Sequence, residues 1–150
     1  MPNLRAGLIG LGMMGRTHAR VLASLDGVDL VAIADPTGGV PGAAPPGVEV
    51  VAAVDDLLDR GIDYAMVSTP TQDHLDTALR LAQAGVHALI EKPLTTDVAS
   101  ARTIADAFDA ARLVGAVGHI ERYNPALQQA RARIARGDLG PIYQITTRRQ

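Results

Sequence analysis

Residues 4–15, LRAGLIGLGMMG, decide the fold. The apolar run Leu4 to Ile9 predicts a buried strand, and the residues after it have helical spacing. Between them the chain reads Gly-x-Gly-x-x-Gly. Gly10 permits a tight turn, Gly12 lets a phosphate group approach the backbone, and Gly15 lets the helix pack closely on the strand. The N-terminus of such a helix also offers unpaired N–H groups to an anion.

Short apolar runs alternate with helical segments along the first 117 residues. This alternation predicts βαβ units with right-handed crossovers, and therefore an α/β fold with a doubly wound parallel sheet. The predicted strands are Leu4 to Ile9, Val28 to Ala34, Val48 to Val51, Tyr64 to Val67, His87 to Ile90 and Leu113 to Val117. The predicted helices are Met13 to Leu25, Val54 to Arg60, Thr71 to Ala84 and Asp97 to Arg112.

Two segments depart from this alternation. Residues 36–47, PTGGVPGAAPPG, contain too much Pro and Gly for a helix, so they predict a loop. Beyond the sixth strand, Asn124 and Pro125 predict the start of another helix that ends near Arg136, and residues 141–149 predict a further strand. We therefore expect one domain over residues 1–120, and over residues 121–150 a linker helix and the truncated start of a second α/β domain.

Composition excludes several classes of protein. The chain has no Cys, which rules out disulfides and thiolate metal sites, and its four His are too scattered to predict a metal site. The basic residues lack the strong excess and the aromatic partners typical of nucleic-acid binding. The N-terminus resembles neither a signal peptide nor a membrane span, so we expect a soluble, cytoplasmic protein without membrane or nucleic-acid partners.

The glycine turn and Asp35 together predict a dinucleotide site. Asp35 ends the second strand 20 residues after Gly15, where a carboxylate accepts hydrogen bonds from adenosine ribose hydroxyls. Because residues 36–47 contain no cation to bind a 2′-phosphate, NAD is favoured over NADP. The predicted cofactor-binding residues of the turn are Gly10, Gly12, Met13, Met14 and Gly15. The alternative is an α/β domain that contains a glycine turn and a surface Asp but binds no cofactor.

Polar residues also follow the fourth and fifth strands, at the edge where a parallel sheet binds ligands. Ser68, Thr69 and Pro70 are candidate cofactor contacts, and so is His74; the alternative is helix capping by Thr69 or Thr71, with His74 solvated. Glu91 and Lys92 follow the fifth strand and are further candidate cofactor contacts. Lys92 is the single lysine beside 13 Arg. If desolvated, it is a candidate base, because a lysine can then lose its proton where Arg cannot, and a surface ion pair with Glu91 is the alternative.

A further cluster, GHIERYNP at residues 118–125, follows the sixth strand. His119, Arg122 and Tyr123 are candidate substrate contacts, where a substrate would meet the nicotinamide. The alternative is that Asn124 starts a helix and that His119 lies at the end of the strand with its hydrogen bonds made within the protein.

The whole chain resembles the glucose-fructose oxidoreductase, inositol dehydrogenase and rhizopine-catabolism (Gfo/Idh/MocA) family of NAD(P)-dependent oxidoreductases. The segments that carry the resemblance are GLGMMG, IADP, STPTQDH, AGVHALIEKPL, GHIERYNPAL and GPIYQITTRRQ. GHIERYNP is most similar to members that act on UDP-N-acetylhexosamines, such as UDP-N-acetylglucosamine 3-dehydrogenases. The resemblance implies a Rossmann domain in which Lys92 contacts substrate and nicotinamide ribose, a cis peptide bond before Pro93, and a sugar site flanked by Arg122 and Tyr123.

Family members continue into a C-terminal α/β domain that completes the catalytic set, and this chain ends in what would be its first strand. The resemblance therefore implies the cofactor-binding part of an NAD-dependent sugar or UDP-sugar dehydrogenase, forming a homo-oligomer through that second domain. The alternatives are an inositol 2-dehydrogenase-like enzyme and a catalytically silent NAD-binding module for redox sensing or assembly. A methyltransferase would space its glycine loop differently and would not need Glu-Lys-Pro.

Overall fold

The computed structural model describes residues 2–148 and contains a six-stranded parallel sheet. The spatial order of the strands is β3-β2-β1-β4-β5-β6. The strands are β1 (Leu4–Ile9), β2 (Val28–Ala34), β3 (Glu49–Val51), β4 (Tyr64–Val67), β5 (His87–Ile90) and β6 (Gly115–Val117). The order reverses at β1, which makes the carboxyl ends of β1 and β4 the place where such a sheet binds ligands. The predicted doubly wound sheet is confirmed.

Five α-helices and two 3₁₀ turns connect or follow the strands in the described part of the chain. The helices are α1 (Met13–Leu22), α2 (Val54–Leu58), α3 (His74–Gln83), α4 (Val98–Ala110) and α5 (Pro125–Ala135), and the 3₁₀ turns are Thr71–Asp73 and Ile120–Tyr123. Each predicted helix exists, and each is shorter than predicted. The residues predicted as the start of α3 form the first 3₁₀ turn, and the chain leaves α1 three residues before the predicted end.

Alternate residues of the central strands point to opposite faces, and each face has its own core. On one face Ile9, Ala65 and Val67 pack with Leu81 of α3 and Phe108 of α4. On the other face the core residues come from β1, β2, α1 and the glycine turn: Ala6, Leu8, Leu11, Ala19, Leu22 and Ile33. Alanine residues occur in both cores, where they let the helices lie close to the sheet.

Residues 36–47 contain neither helix nor strand, which confirms the predicted loop. Ala43 and Ala44 of this loop pack against the second core, together with Val48. The loop thus covers part of the sheet with small side chains.

The chain divides into two compact units, one ending at Gly118 and the other beginning at His119. In the second unit the start of α5 is as predicted, since Asn124 Oδ1 accepts a hydrogen bond from the backbone N of Ala126 at 3.0 Å and Pro125 occupies the first turn. The predicted strand over residues 141–149 is wrong over 141–148, which contain no strand; Arg149 lies outside the described residues. A strand needs a partner for its backbone groups, and no described strand pairs with this segment. The assignment of residues 121–150 to a second domain stays a prediction.

No helix within residues 2–148 is both long enough and apolar enough to cross a membrane.

Candidate cofactor site

The glycine turn joins β1 to α1 at the carboxyl edge of the sheet. Gly10 has a positive φ of 91° and donates its backbone N–H to Ala34 O at 2.8 Å. A Cβ on Gly15 would lie 2.0 Å from Gly10 O, whereas a Cβ on Gly12 would meet nothing within 4 Å. Gly15 is therefore required by packing, and Gly12 leaves open space above the turn.

The N-terminus of α1 is free to bind an anion. Its N-cap, Gly12, supplies no side-chain hydrogen bond, and no acidic residue occupies the first turn. Met13 and Met14 begin the helix and are exposed at the turn. A helix N-terminus with unpaired N–H groups and the positive end of the helix dipole suits a diphosphate.

Asp35 lies beside this turn and is held by it. Its Oδ2 accepts from the backbone N of Leu11 at 2.7 Å. Its Oδ1 accepts from the backbone N of Thr37 at 2.8 Å and from Thr37 Oγ1 at 2.6 Å. Burial raises the pKa of Asp35, but the hydrogen bonds from Thr37, Leu11 and Gly39 outweigh burial and hold the pKa below its ordinary value. Asp35 is therefore a fixed anion, as ribose binding requires.

At the end of β4, Ser68 and Thr69 differ in their partners. Ser68 Oγ donates to Gly10 O at 2.9 Å and lies 3.2 Å from Ile9 O, so it braces the glycine turn. Thr69 Oγ1 is buried and has no hydrogen-bond partner. The following 3₁₀ turn and α3 have no side-chain cap, so the alternative that Thr69 or Thr71 caps a helix is wrong. Pro70, which follows Thr69, is exposed. A buried hydroxyl without a partner at this edge marks a place for a bound polar group.

His74 is buried at 1% exposure, so the alternative of a solvated His74 is wrong. Its Nε2 lies 3.0 Å from Thr69 O. Its Nδ1 lies 3.0 Å from Leu94 O and 3.2 Å from Pro93 O. The imidazole thus connects the segment after β4 to the segment after β5. It has no contact with the open side of the glycine turn, so its predicted cofactor contact stays a prediction.

Replacing His74 by Leu is expected to lower the free energy of unfolding by about 1–3 kcal/mol, because it leaves buried carbonyl oxygens without a donor. Leu fills most of the volume, so a cavity contributes little. His119→Leu is the matched control: His119 is exposed, and we expect less than about 0.5 kcal/mol of change there. Urea unfolding followed by circular dichroism measures both, and equal stabilities of the two variants would contradict the role given to His74.

Glu91 and Lys92 follow β5 and have different surroundings. Glu91 is 7% exposed, and its carboxylate accepts from His18 and from the backbone N of Lys92. Lys92 is exposed at the carboxyl edge of the sheet. The alternative of a surface ion pair between these neighbours is wrong, because Glu91 is buried and its side-chain partner is His18. The peptide bond between Lys92 and Pro93 is cis, as the resemblance implied.

His119, Arg122 and Tyr123 belong to the second unit and are exposed there; Tyr123 is 80% exposed. His119 precedes the 3₁₀ turn Ile120–Tyr123 and lies beyond the end of β6. Their predicted contact with substrate stays a prediction.

Sequence reasoning assigned no role to His18 and Thr37. His18 follows Gly15 by three residues, so it lies on the same helix face, the face turned to the sheet. That spacing is the signal that would have found it. Thr37 follows Asp35 by two residues, a spacing typical of local side-chain to backbone hydrogen bonds. Among residues 2–148, no group of three or more His, Asp or Glu could hold a metal ion.

Three features of the site suit a dinucleotide: the open space at Gly12, the fixed carboxylate of Asp35 and the unpartnered hydroxyl of Thr69. Comparison with known proteins agrees. Residues 4–119 match the model of GFO_IDH_MocA, the oxidoreductase family with an NAD-binding Rossmann fold. The chain belongs to this family. NAD, the predicted cofactor, is the cofactor of the family's fold.

Relatives share this similarity over nearly the whole chain. The rhizopine catabolism protein MocA of Rhizobium meliloti is 32% identical over 97% of the chain and 47% of its own length. UDP-N-acetylglucosamine 3-dehydrogenase of Acidithiobacillus ferrooxidans is 37% identical over 87% of the chain and 42% of its own length. The crystal structure of the WlbA dehydrogenase of Bordetella pertussis, in complex with NADH and UDP-GlcNAcA, superposes with a TM-score of 0.84 at 30% identity, over 95% of the chain and 42% of that structure. This family member therefore spans less than half the length of these relatives.

Proposed function

We propose that this chain is the cofactor-binding part of an NAD-dependent dehydrogenase that acts on a secondary alcohol of a sugar or nucleotide sugar. The observation that carries the proposal is the position of Lys92. The chain's only lysine is exposed at the carboxyl end of β5, on the sheet edge that also holds the glycine turn, Asp35 and the unpartnered hydroxyl of Thr69.

The chain's residues divide the work between binding and proton transfer. The glycine turn and the N-terminus of α1 would hold the diphosphate, Asp35 the adenosine ribose, and Thr69 a polar group of the nicotinamide half. When bound, NAD supplies a nicotinamide ring that accepts hydride from an alcohol carbon. Lys92, as a neutral amine shielded from water by the bound substrate, would take the proton from the alcohol oxygen as hydride leaves the carbon, and the resulting ammonium would return it in the reverse direction.

The substrate class rests on the relatives. One relative acts on UDP-N-acetylglucosamine, and another, scyllo-inositol 2-dehydrogenase of Bacillus subtilis, is 31% identical over 93% of the chain. Both substrates carry secondary hydroxyls on a six-membered ring. We place a sugar or UDP-sugar ahead of inositol as the substrate, because residues 118–125 are most similar to family members that act on UDP-N-acetylhexosamines. The homo-oligomer and the cytoplasmic location likewise stay predictions.

The binding half of the proposal is tested by titrating the chain with NADH and NADPH and following the nucleotide fluorescence. NADH should bind more tightly, because Asp35 repels a 2′-phosphate. Asp35→Ala should weaken NADH binding by about 10- to 100-fold, which is the usual contribution of hydrogen bonds to a charged group. It should also reduce the ratio of NADH affinity to NADPH affinity.

Asp29→Ala is the matched control, since Asp29 is an exposed residue at the opposite end of β2. It should leave both affinities unchanged. S-adenosylmethionine, added as a competitor of bound NADH, should not displace it. An unchanged ratio of NADH to NADPH affinity in Asp35→Ala would show that Asp35 does not contact the ribose, and failure of the wild-type chain to bind NADH would overturn the proposed cofactor site.

A further inference from the structure

One buried hydrogen bond joins the helix of the glycine turn to the segment that carries Lys92. His18 Nε2 lies 2.8 Å from Glu91 Oε1, and the two side chains are 15% and 9% exposed. His18 belongs to α1, whose N-terminus forms the predicted diphosphate site. Glu91 immediately follows β5. The bond therefore connects two elements that are far apart in the sequence.

The second carboxylate oxygen of Glu91 faces the lysine segment. Glu91 Oε2 accepts a hydrogen bond from the backbone N of Lys92 at 3.1 Å. The carboxylate is also tightly enclosed, because a Cβ added to Gly118 would lie 3.3 Å from it. His18, Glu91 and the backbone of Lys92 thus form one continuous chain of hydrogen bonds.

Packing alone does not explain this arrangement. Burying a carboxylate costs free energy unless its oxygens are paired, and a pair of apolar side chains would join α1 to the sheet without that cost. Buried polar pairs do fix a specific geometry in some proteins. Here the geometry that the pair fixes is the position of the Lys92 backbone relative to α1.

We propose that His18 and Glu91 are positioning residues for Lys92, and that their hydrogen bond couples dinucleotide binding at α1 to the position of the lysine. The inference rests on the proposed function and extends it. A dinucleotide held at the N-terminus of α1 restrains that helix. The helix restrains Glu91 through His18, and Glu91 restrains the N–H of Lys92.

Amide hydrogen exchange, followed by NMR on the 150-residue chain, tests the first link without any ligand. His18→Leu should speed exchange at the Lys92 amide by about tenfold, because Glu91 without its partner moves toward water and releases that N–H. His18→Gln, whose side-chain amide can donate to Glu91, should restore most of the protection.

Two neighbouring amides serve as controls. The N–H of Glu91 donates to Val67 O at 2.9 Å and that of Gly118 to Ile90 O at 2.8 Å, both within the backbone of the sheet. They should keep their wild-type exchange rates in both variants. If all three amides exchange faster together, His18 serves only packing and the proposal is overturned. An unchanged rate at Lys92 in His18→Leu overturns it as well.

A second variant keeps the test decisive if His18→Leu does not fold. Glu91→Gln retains the size of the side chain but has one acceptor oxygen and one amide donor, so either the Lys92 N–H or His18 loses its acceptor, or the imidazole changes tautomer to accept from the amide. Exchange at Lys92, or the NMR signals of the His18 imidazole, should then change while the Gly118 amide does not. No change at either group would overturn the proposal.

The coupling itself is tested by adding saturating NADH. In the wild-type chain NADH should slow exchange at the Lys92 amide. In His18→Leu it should not, because the hydrogen bond that links α1 to Glu91 is lost and the two positions are no longer coupled. Failure of the wild-type chain to bind NADH would count against the proposed function alone, because the exchange rates without ligand still decide the positioning role.

Discussion

Gly15→Ala is expected to weaken NADH binding by about 10- to 100-fold and to destabilise the fold, because overpacking a rigid site costs about 1–3 kcal/mol. The added Cβ would lie 2.0 Å from Gly10 O, a backbone atom of the glycine turn. Relief requires the first turn of α1 to move away from β1. That movement displaces the N–H groups predicted to hold the diphosphate.

Gly12→Ala separates the two effects. Its Cβ would meet nothing within 4 Å, and Gly12 has a φ of −70°, which any residue adopts. We therefore expect the free energy of unfolding to stay within about 0.5 kcal/mol of wild type. NADH binding should still fall, because the methyl group fills the space above the turn. Fluorescence titration and urea unfolding measure both variants, and normal NADH binding by Gly15→Ala would contradict the assignment of the site.

Lys92→Arg is expected to lower turnover by about 10²- to 10⁴-fold, the usual contribution of a positioned acid or base. Arginine keeps the positive charge but does not release its proton at the pH of catalysis. NADH affinity should remain within about threefold of wild type, because the charge is preserved. Turnover is measured in a form of the protein that carries a substrate-binding region beyond residue 150, with UDP-sugars and inositols as candidate substrates.

Arg102→Lys is the matched control for this substitution. Arg102 is exposed on α4, so replacing this arginine by lysine should leave turnover unchanged. Equal turnover of Lys92→Arg and wild type would remove Lys92 from its role as the base. Absence of turnover in the wild-type protein with every candidate substrate would favour the silent NAD-binding module.

The sheet could be predicted from sequence because its strands are continuous apolar runs. Predicted strands β1, β2, β4 and β5 coincide with the observed ones, since a strand buried on both faces has a clear apolar pattern. The ends of the helices were less predictable. The start of α3 tightens into a 3₁₀ turn, which apolar spacing does not reveal. The predicted strand after residue 140 failed because a strand forms only with a partner.

The residues of the candidate site also differ in how well the sequence predicts them. Gly10, Gly15 and Asp35 were predictable because a backbone conformation or a fixed spacing requires those residue types. The partners of His18 and His74 were not, because both bonds join segments that meet only in the folded sheet. His74 on the first turn of a helix has the sequence pattern of a solvated residue, yet it is among the most buried polar residues described. The spacing from Gly15 indicates that His18 faces the sheet, but it does not indicate which residue the imidazole contacts.

The two outer strands of the sheet bear on how the protein behaves at high concentration. β3 and β6 are each only three residues long, and they are the two outermost strands of the sheet in the described residues. Short edge strands offer few unpaired backbone groups to another chain, which limits edge-to-edge aggregation. The long strands β1 and β2, whose continuous apolar pattern would favour such assembly, each have a neighbouring strand on both sides. The strand order therefore protects the most aggregation-prone segments of this sequence by placing them inside the sheet.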